Sequence, residues 1–163
     1  MSALAQKADT IVFNSANTKE FVTVYVADQS LGIEVKSIQD VFSLHDLTPV
    51  PGAPKEIAGV LNLRGRIVTA IDARVRLGLP PREEGYANIM AVGVESKGDD
   101  YCILVDKVGE VLRLEDTNFE VNPLNMDPNW KIFSKGIYRL DGKLLMSLDI
   151  EAMLGTIELG VAT

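Results

Sequence analysis

A single cysteine, Cys102, and a single histidine, His45, stand in 163 residues. One cysteine cannot close an internal disulfide, which fits a reducing cytoplasm. One histidine leaves no His/Cys set at metal-ligating spacing and no Ser-His-Asp arrangement. Cys102 alternates with apolar neighbours and reads as a small buried hydrophobe, and His45, in a polar stretch before two prolines, reads as a loop residue. Basic residues are outnumbered, 16 Lys and Arg against 23 Asp and Glu, for a net charge of −7, and they are scattered. Nucleic acid or anionic lipid needs a basic face, so neither is an expected partner. No apolar run approaches the roughly 18 residues of a membrane span. The N-terminus also lacks the charged start and apolar segment of a signal peptide, which argues against secretion.

What is present is a repeat. Gly59 to Gly78 reads GVLNLRGRIVTAIDARVRLG, and Gly136 to Gly155 reads GIYRLDGKLLMSLDIEAMLG. A shift of 77 positions superposes Gly59 on Gly136, Leu63 on Leu140, Gly65 on Gly142, Asp72 on Asp149, Leu77 on Leu154 and Gly78 on Gly155 without a gap. Val60, Ile67, Val68 and Ile71 fall on apolar residues of the second copy. Upstream, a shift of 70 places Ile33 on Ile103, Val35 on Val105, Ile38 on Val108, Asp40 on Glu110, Val41 on Val111 and Leu44 on Leu114. The difference between the shifts is a longer second loop, Asp116 to Lys131.

Taken in order, residues 1–18 are polar and aperiodic and read as an N-terminal tail. Phe21 to Ala27 is a β-branched and aromatic strand, Asp28 to Ser30 a turn, and Leu31 to Val35 its partner. Lys36 to Val41 reads as one helical turn or a bent strand. Pro49, Pro51, Gly52 and Pro54 make residues 45–56 a loop. Ile57 to Leu63 and Arg66 to Ile71 are strands hinged at Arg64-Gly65. Asp72 caps a one-turn helix over Ala73 to Leu77, and Asp149 does the same for Ile150 to Leu154. Residues 82–86 form a linker, Asn88 to Val94 and Tyr101 to Val105 pair around Lys97 to Asp100, and residues 156–163 form a C-terminal tail. The chain is thus mainly β, two copies of one unit of four or five short strands, each a small barrel or sandwich. Lobe 1 spans about 19–81 and lobe 2 about 86–155, the two being expected to pack together or share strands. Two like lobes side by side leave a groove, a natural binding site.

The two hairpins differ. Asp141-Gly142 suits a two-residue turn, because Asp tolerates positive φ and Gly prefers it. Arg64 has no such tolerance, so its turn either leaves positive φ to Gly65 alone or accepts strain. Arg64 is either a solvated turn residue or an arginine wanted at a hairpin tip for a partner.

Asn62-Leu63-Arg64-Gly65, with Ile67-Val68 and Asp72 after it, resembles the NLRG signature of the bacterial chemotaxis coupling protein family, CheW. Phe21 to Val26, Leu31-Gly32-Ile33 with Ile38 and Val41, and Val105-Asp106-Lys107-Val108 to Leu112 extend the likeness over residues 19–155. The resemblance implies two SH3-like five-stranded β-barrel lobes with short helices. It also implies a cytoplasmic adaptor without catalytic activity or cofactor, a monomer in isolation, recruited to membrane-associated receptor arrays. Its implied partners are the CheW-like regulatory domain of a CheA-type histidine kinase and the helical cytoplasmic tip of a methyl-accepting chemoreceptor. By position, the receptor-facing residues would be Arg64, Gly59 and Ile38, with Val108 and Asp40 beside them. Ile38 and Val108 would anchor a helix laid in the groove, Gly59 would permit close backbone approach, and Arg64 would offer a planar donor fork. Against this, Ile38 and Val108 occupy equivalent places in the two copies and read equally well as core, and Gly59 recurs as Gly136. Phe119 and Glu120, in the loop to Asn125, are the implied kinase-binding residues. A CheW-like adaptor of a non-flagellar chemosensory pathway, for surface motility or development, would look the same. An enzyme using Asp72, Asp149 or His45 is disfavoured, since both aspartates are explained as helix N-caps.

Overall fold

The structure is a computed structural model that describes residues 17–155. The tail expected over 1–18 therefore lies outside the described residues up to position 16, and the one expected over 156–163 lies outside them entirely. The first half runs β1 (Thr18–Val26), β2 (Gln29–Glu34), a 3-10 turn (Val35–Ser37), β3 (Asp40–Ser43), β4 (Ile57–Leu63), β5 (Arg66–Asp72) and helix α1 (Ala73–Arg76). The second half runs β6 (Met90–Ser96), β7 (Asp99–Val105), β8 (Lys107–Glu115), β9 (Phe119–Glu120), helix α2 (Pro128–Lys131), β10 (Ser134–Leu140) and β11 (Lys143–Leu148). Residues 150–155 are helical.

Local chemistry explains most boundaries. Asp72 Oδ1 accepts from the Val75 N–H at 3.3 Å, and Asp149 Oδ1 from that of Ala152 at 3.0 Å, so each carboxylate caps its helix. The first hairpin differs from expectation. Val26 pairs with Gln29, so the turn is Ala27-Asp28 rather than Asp28 to Ser30. Ala27 takes φ 55, and its N–H donates to Asp106 Oδ2 at 2.6 Å. A carboxylate 79 positions away thus holds a turn that local turn chemistry does not favour.

The two sheets do not follow the two halves of the chain. One has the order β3-β6-β7-β5-β4, the other β8-β1-β2-β11-β10-β9. With β1 and β2 matched to β6 and β7, β3 to β8, and β4 and β5 to β10 and β11, the five-stranded order reproduces the first five positions of the other. Each copy lends its leading hairpin to the sheet of the other. The register obeys the repeat as well: Thr69 pairs in parallel with Tyr101, and Met146 with Leu31. A strand shared in this way covers apolar faces that a barrel of this size leaves open.

The core divides accordingly. One cluster spans both sheets and contains Val24, Ile33, Ile71, Ile103, Val105, Met146 and Met153, among others. A second, with Leu61, Val68, Ala70, Ala91, Cys102 and Leu104, fills the five-stranded lobe; a third, with Phe21, Leu114, Tyr138 and Leu145, fills the six-stranded one. Strand β7 is buried on both faces, Ile103 and Val105 toward the shared core and Cys102 and Leu104 into its lobe. That is why it reads as a continuous apolar run. Cys102 is fully buried, and burial pushes its thiol pKa up to about 12.

The expected linker is fastened at several points. The Tyr86 hydroxyl donates to Asp72 Oδ2 at 2.7 Å, and Arg82 donates to the Gly85 and Ala87 carbonyls. Arg82 and Arg74 both pair with Asp106, at 3.1 and 2.8 Å. Burial, and then the bond to Asp72, raise the Tyr86 pKa, while the Asp106 hydrogen bond raises that of Arg74. Arg76 reaches across to the Met153 and Ala152 carbonyls and lies over the Phe133 ring, tying α1 to the C-terminal helical segment.

Candidate functional site

The β4–β5 hairpin carries the site. Leu63 pairs with Arg66, leaving Arg64 and Gly65 as a two-residue turn with φ 54 and φ 84. Of the two alternatives open at this turn, the chain takes the strained one, because both central residues are left-handed, as a type I′ turn requires. A non-Gly residue there costs on the order of 1 kcal/mol. Asn62 helps hold the turn, its Oδ1 accepting from the Gly65 N–H at 2.9 Å. In the counterpart hairpin only Gly142 is left-handed, at φ 70. The better-suited dipeptide is thus not the one that adopts the doubly left-handed turn.

Arg64 is 75% exposed along its side chain, and its Nη2 lies 2.8 Å from Asp40 Oδ2. Asp40 opens β3, and its Oδ1 accepts from the Val41 N–H at 3.0 Å. Two of the expected receptor-facing residues are therefore joined directly. Beside them Arg66 Nε lies 2.7 Å from Asp100 Oδ2. The two pairs flank a cleft lined further by Leu63, Val68 and Tyr101.

Ile38 precedes this group by two residues and is half-buried against the shared core; Val108, on β8, is half-buried against the same core. Both therefore contribute to the core and expose part of their surface. Gly59 lies elsewhere. It is buried in β4, five residues from the hairpin tip, roughly 16 Å of strand. Its φ is 154, and a Cβ there would collide with the Thr48 carbonyl oxygen. Thr48 and Val60 exchange backbone hydrogen bonds across this spot at 2.8 Å each. Gly136 repeats the arrangement at φ 149, with Phe119 and the Glu120 carbonyl over it. The missing side chain at both glycines is explained by chain crossing over a strand irregularity, and Gly59 does not join the Arg64 group.

Phe119 sits edge-on to Tyr138 with ring centroids 5.2 Å apart, so much of its ring is engaged internally. Glu120 makes a bidentate pair with Arg139, at 2.6 and 3.1 Å, which holds its carboxyl below the usual range. The more exposed apolar groups of that loop are Val121 and Leu124, the latter 96% exposed. Sequence reasoning also passed over Ile67, Leu144 and Val111, all exposed apolar residues. Period-two alternation along β5 and β11 was the signal, since Val68 and Leu145 point into their lobes. Among the described residues no group of His, Cys, Asp and Glu is placed to hold a metal ion, and no helix is long and apolar enough to cross a membrane.

This geometry has close counterparts. The family model for the CheW-like domain matches residues 20–158. The chain is 30% identical to the chemotaxis protein CheW of Thermotoga maritima over 135 residues, 83% of this chain and 87% of that one. It is 28% identical to that of Klebsiella aerogenes over 151 residues, 88% of this chain and 86% of that one. The crystal structure of the scaffolding protein TtCheW from Thermoanaerobacter tengcongensis superposes with a TM-score of 0.74 at 26% identity, covering 83% of this chain and 87% of TtCheW. Two exchanged β lobes, an NLRG hairpin and a match over nearly the whole length have one common explanation: the chain belongs to the CheW-like domain family.

Proposed function

We propose that the chain is a chemotaxis adaptor that couples the cytoplasmic tips of chemoreceptors to a CheA-type histidine kinase, acting as a non-catalytic scaffold in the cytoplasm at receptor arrays. The observation that carries this reading is the asymmetry of the two hairpin tips. The fold repeats its glycines, caps and core between copies, and Asp40 keeps its charge as Glu110, yet Arg64 in the first becomes Asp141 in the second. A strained, exposed arginine on one copy only is not something the fold itself requires. The scaffold and chemotaxis names of the relatives support the same conclusion.

In this reading the Arg64–Asp40 group, with the exposed parts of Ile38 and Val108, faces the receptor's helical tip. Gly59 serves the lobe itself, its missing side chain letting the Thr48 segment cross β4. The exposed apolar residues Val121 and Leu124, beside Phe119 and Glu120, supply the kinase-facing edge, since exposed apolar side chains grouped on a loop mark an interaction site. Titrating the purified chain with the regulatory domain of the organism's CheA-type kinase tests the reading. Saturable binding is expected, and no binding to any such kinase of the organism would contradict it.

A further inference from the structure

Two carboxylate oxygens in the Arg64 cleft are buried and accept a hydrogen bond from none of the described residues: Asp40 Oδ2 and Asp100 Oδ1. The Asp100 side chain is only 10% exposed. Asp40 Oδ2 has the charge of Arg64 2.8 Å away, but the contact does not meet hydrogen-bond geometry. Buried acceptors of this kind carry a desolvation cost until a donor reaches them. The repeat shows that the fold does not ask for Asp100, whereas a carboxylate, Glu110, stands at the counterpart of Asp40. At the equivalent positions of the other lobe Ser30 stands for Asp100 and Lys143 for Arg66.

We propose that this cleft seats a side-chain amide of the receptor segment, its N–H groups donating to Asp100 Oδ1 and Asp40 Oδ2. The proposal rests on the adaptor reading and adds the chemistry of recognition to it. An anion is disfavoured, because it would meet two carboxylate oxygens. A bare metal cation is disfavoured too, because Arg64 and Arg66 already balance both carboxylates. A planar N–H donor satisfies an acceptor directionally without needing net charge in the cleft. In this arrangement Arg64 and Arg66 hold Asp40 and Asp100 in place, and the carboxylates make the contact that discriminates.

The test uses the full chain with the purified cytoplasmic helical hairpin of a chemoreceptor from the same organism, titrated calorimetrically, beside the kinase regulatory domain. Asp100→Leu is expected to weaken receptor binding at least tenfold. It should leave kinase-domain affinity within twofold and the melting temperature no lower, since Arg66 is solvated and a buried acceptor has gone. Unchanged receptor affinity in the variant would overturn the proposal while the adaptor reading stands. A wild-type chain that binds no receptor hairpin would overturn both. Should Asp100→Leu fail to fold, Asp100→Ala removes both acceptor oxygens without adding bulk. The same loss is then expected, and unchanged receptor affinity again overturns the proposal.

Discussion

Arg64 Nη2 stands 2.8 Å from Asp40 Oδ2 while the backbone of Arg64 is held left-handed at φ 54. Arg64 is largely solvated, so the contact contributes little stability, about 0–1 kcal/mol. The backbone conformation costs about as much. Arg64→Gly removes both terms, so it is expected to fold as stably as the parent or up to about 1 kcal/mol more so. Arg64→Ala should leave the melting temperature nearly unchanged. Both variants should lose receptor coupling in a kinase-activation assay. A loss of more than about 1 kcal/mol in thermal denaturation would instead make Arg64 a structural residue.

The buried glycines should behave in the opposite way. A Cβ at Gly59 meets the Thr48 carbonyl, and one at Gly136 meets the Phe119 ring and the Glu120 carbonyl. Gly59→Ala and Gly136→Ala are each expected to destabilise by about 2–4 kcal/mol, from overpacking and positive φ together. Urea unfolding of the two variants checks this. The shared mechanism requires similar losses in both lobes, and a neutral Gly59→Ala would return that residue to the role of a contact surface.

These two residues also show how far the sequence could be read. The repeat made the strands, caps and turn positions of β4, β5 and α1 legible, because each depends on neighbours within a few positions. The strand exchange between sheets was left open as one of two arrangements, since either buries the same apolar residues. The Ala27 turn was misplaced by local rules because its support, Asp106, lies on β8's approach, 79 positions away. Likewise Arg64 was legible as a hairpin tip, but its pairing with Asp40 and the neighbouring Arg66–Asp100 pair depend on β3 and β7 lying beside the hairpin. Gly59 was legible as a position of close backbone approach, but the segment that crosses it, Thr48, arrives through a loop whose path no local pattern specifies.

Asp106 is expected to be the polar residue on which the interlobe linker depends. It accepts from the Ala27 N–H and pairs with both Arg74 and Arg82. Asp106→Ala leaves Arg74 without its paired carboxylate and Arg82 with only the exposed Glu84, and should cost about 2–4 kcal/mol. Limited proteolysis within residues 80–88 should accelerate in the variant. Cleavage at the parental rate would mean that the linker is held by other contacts.

Alkaline pH should weaken the fold. Burial raises the Cys102 thiol from 9.0 to about 12, and burial also raises Tyr86. The folded chain holds these protons more tightly than the unfolded one, so the stabilisation is complete below pH 9 and declines as pH rises from 9 toward 12. For Cys102 alone the slope approaches about 1.4 kcal/mol per pH unit. Urea midpoints measured from pH 8 to 11 should fall, and Cys102→Ala should show a shallower decline from a lower starting stability. A parental midpoint that stays flat to pH 11 would contradict the assigned burial.

The most direct measurement of the central claim is the phosphorylation rate of the organism's CheA-type kinase, reconstituted with receptor cytoplasmic fragments in the presence and absence of this chain. The adaptor account expects a rate increase of at least several-fold that requires receptor, kinase and chain together and is lost with Arg64→Ala. Equal rates with and without the folded wild-type chain would contradict it.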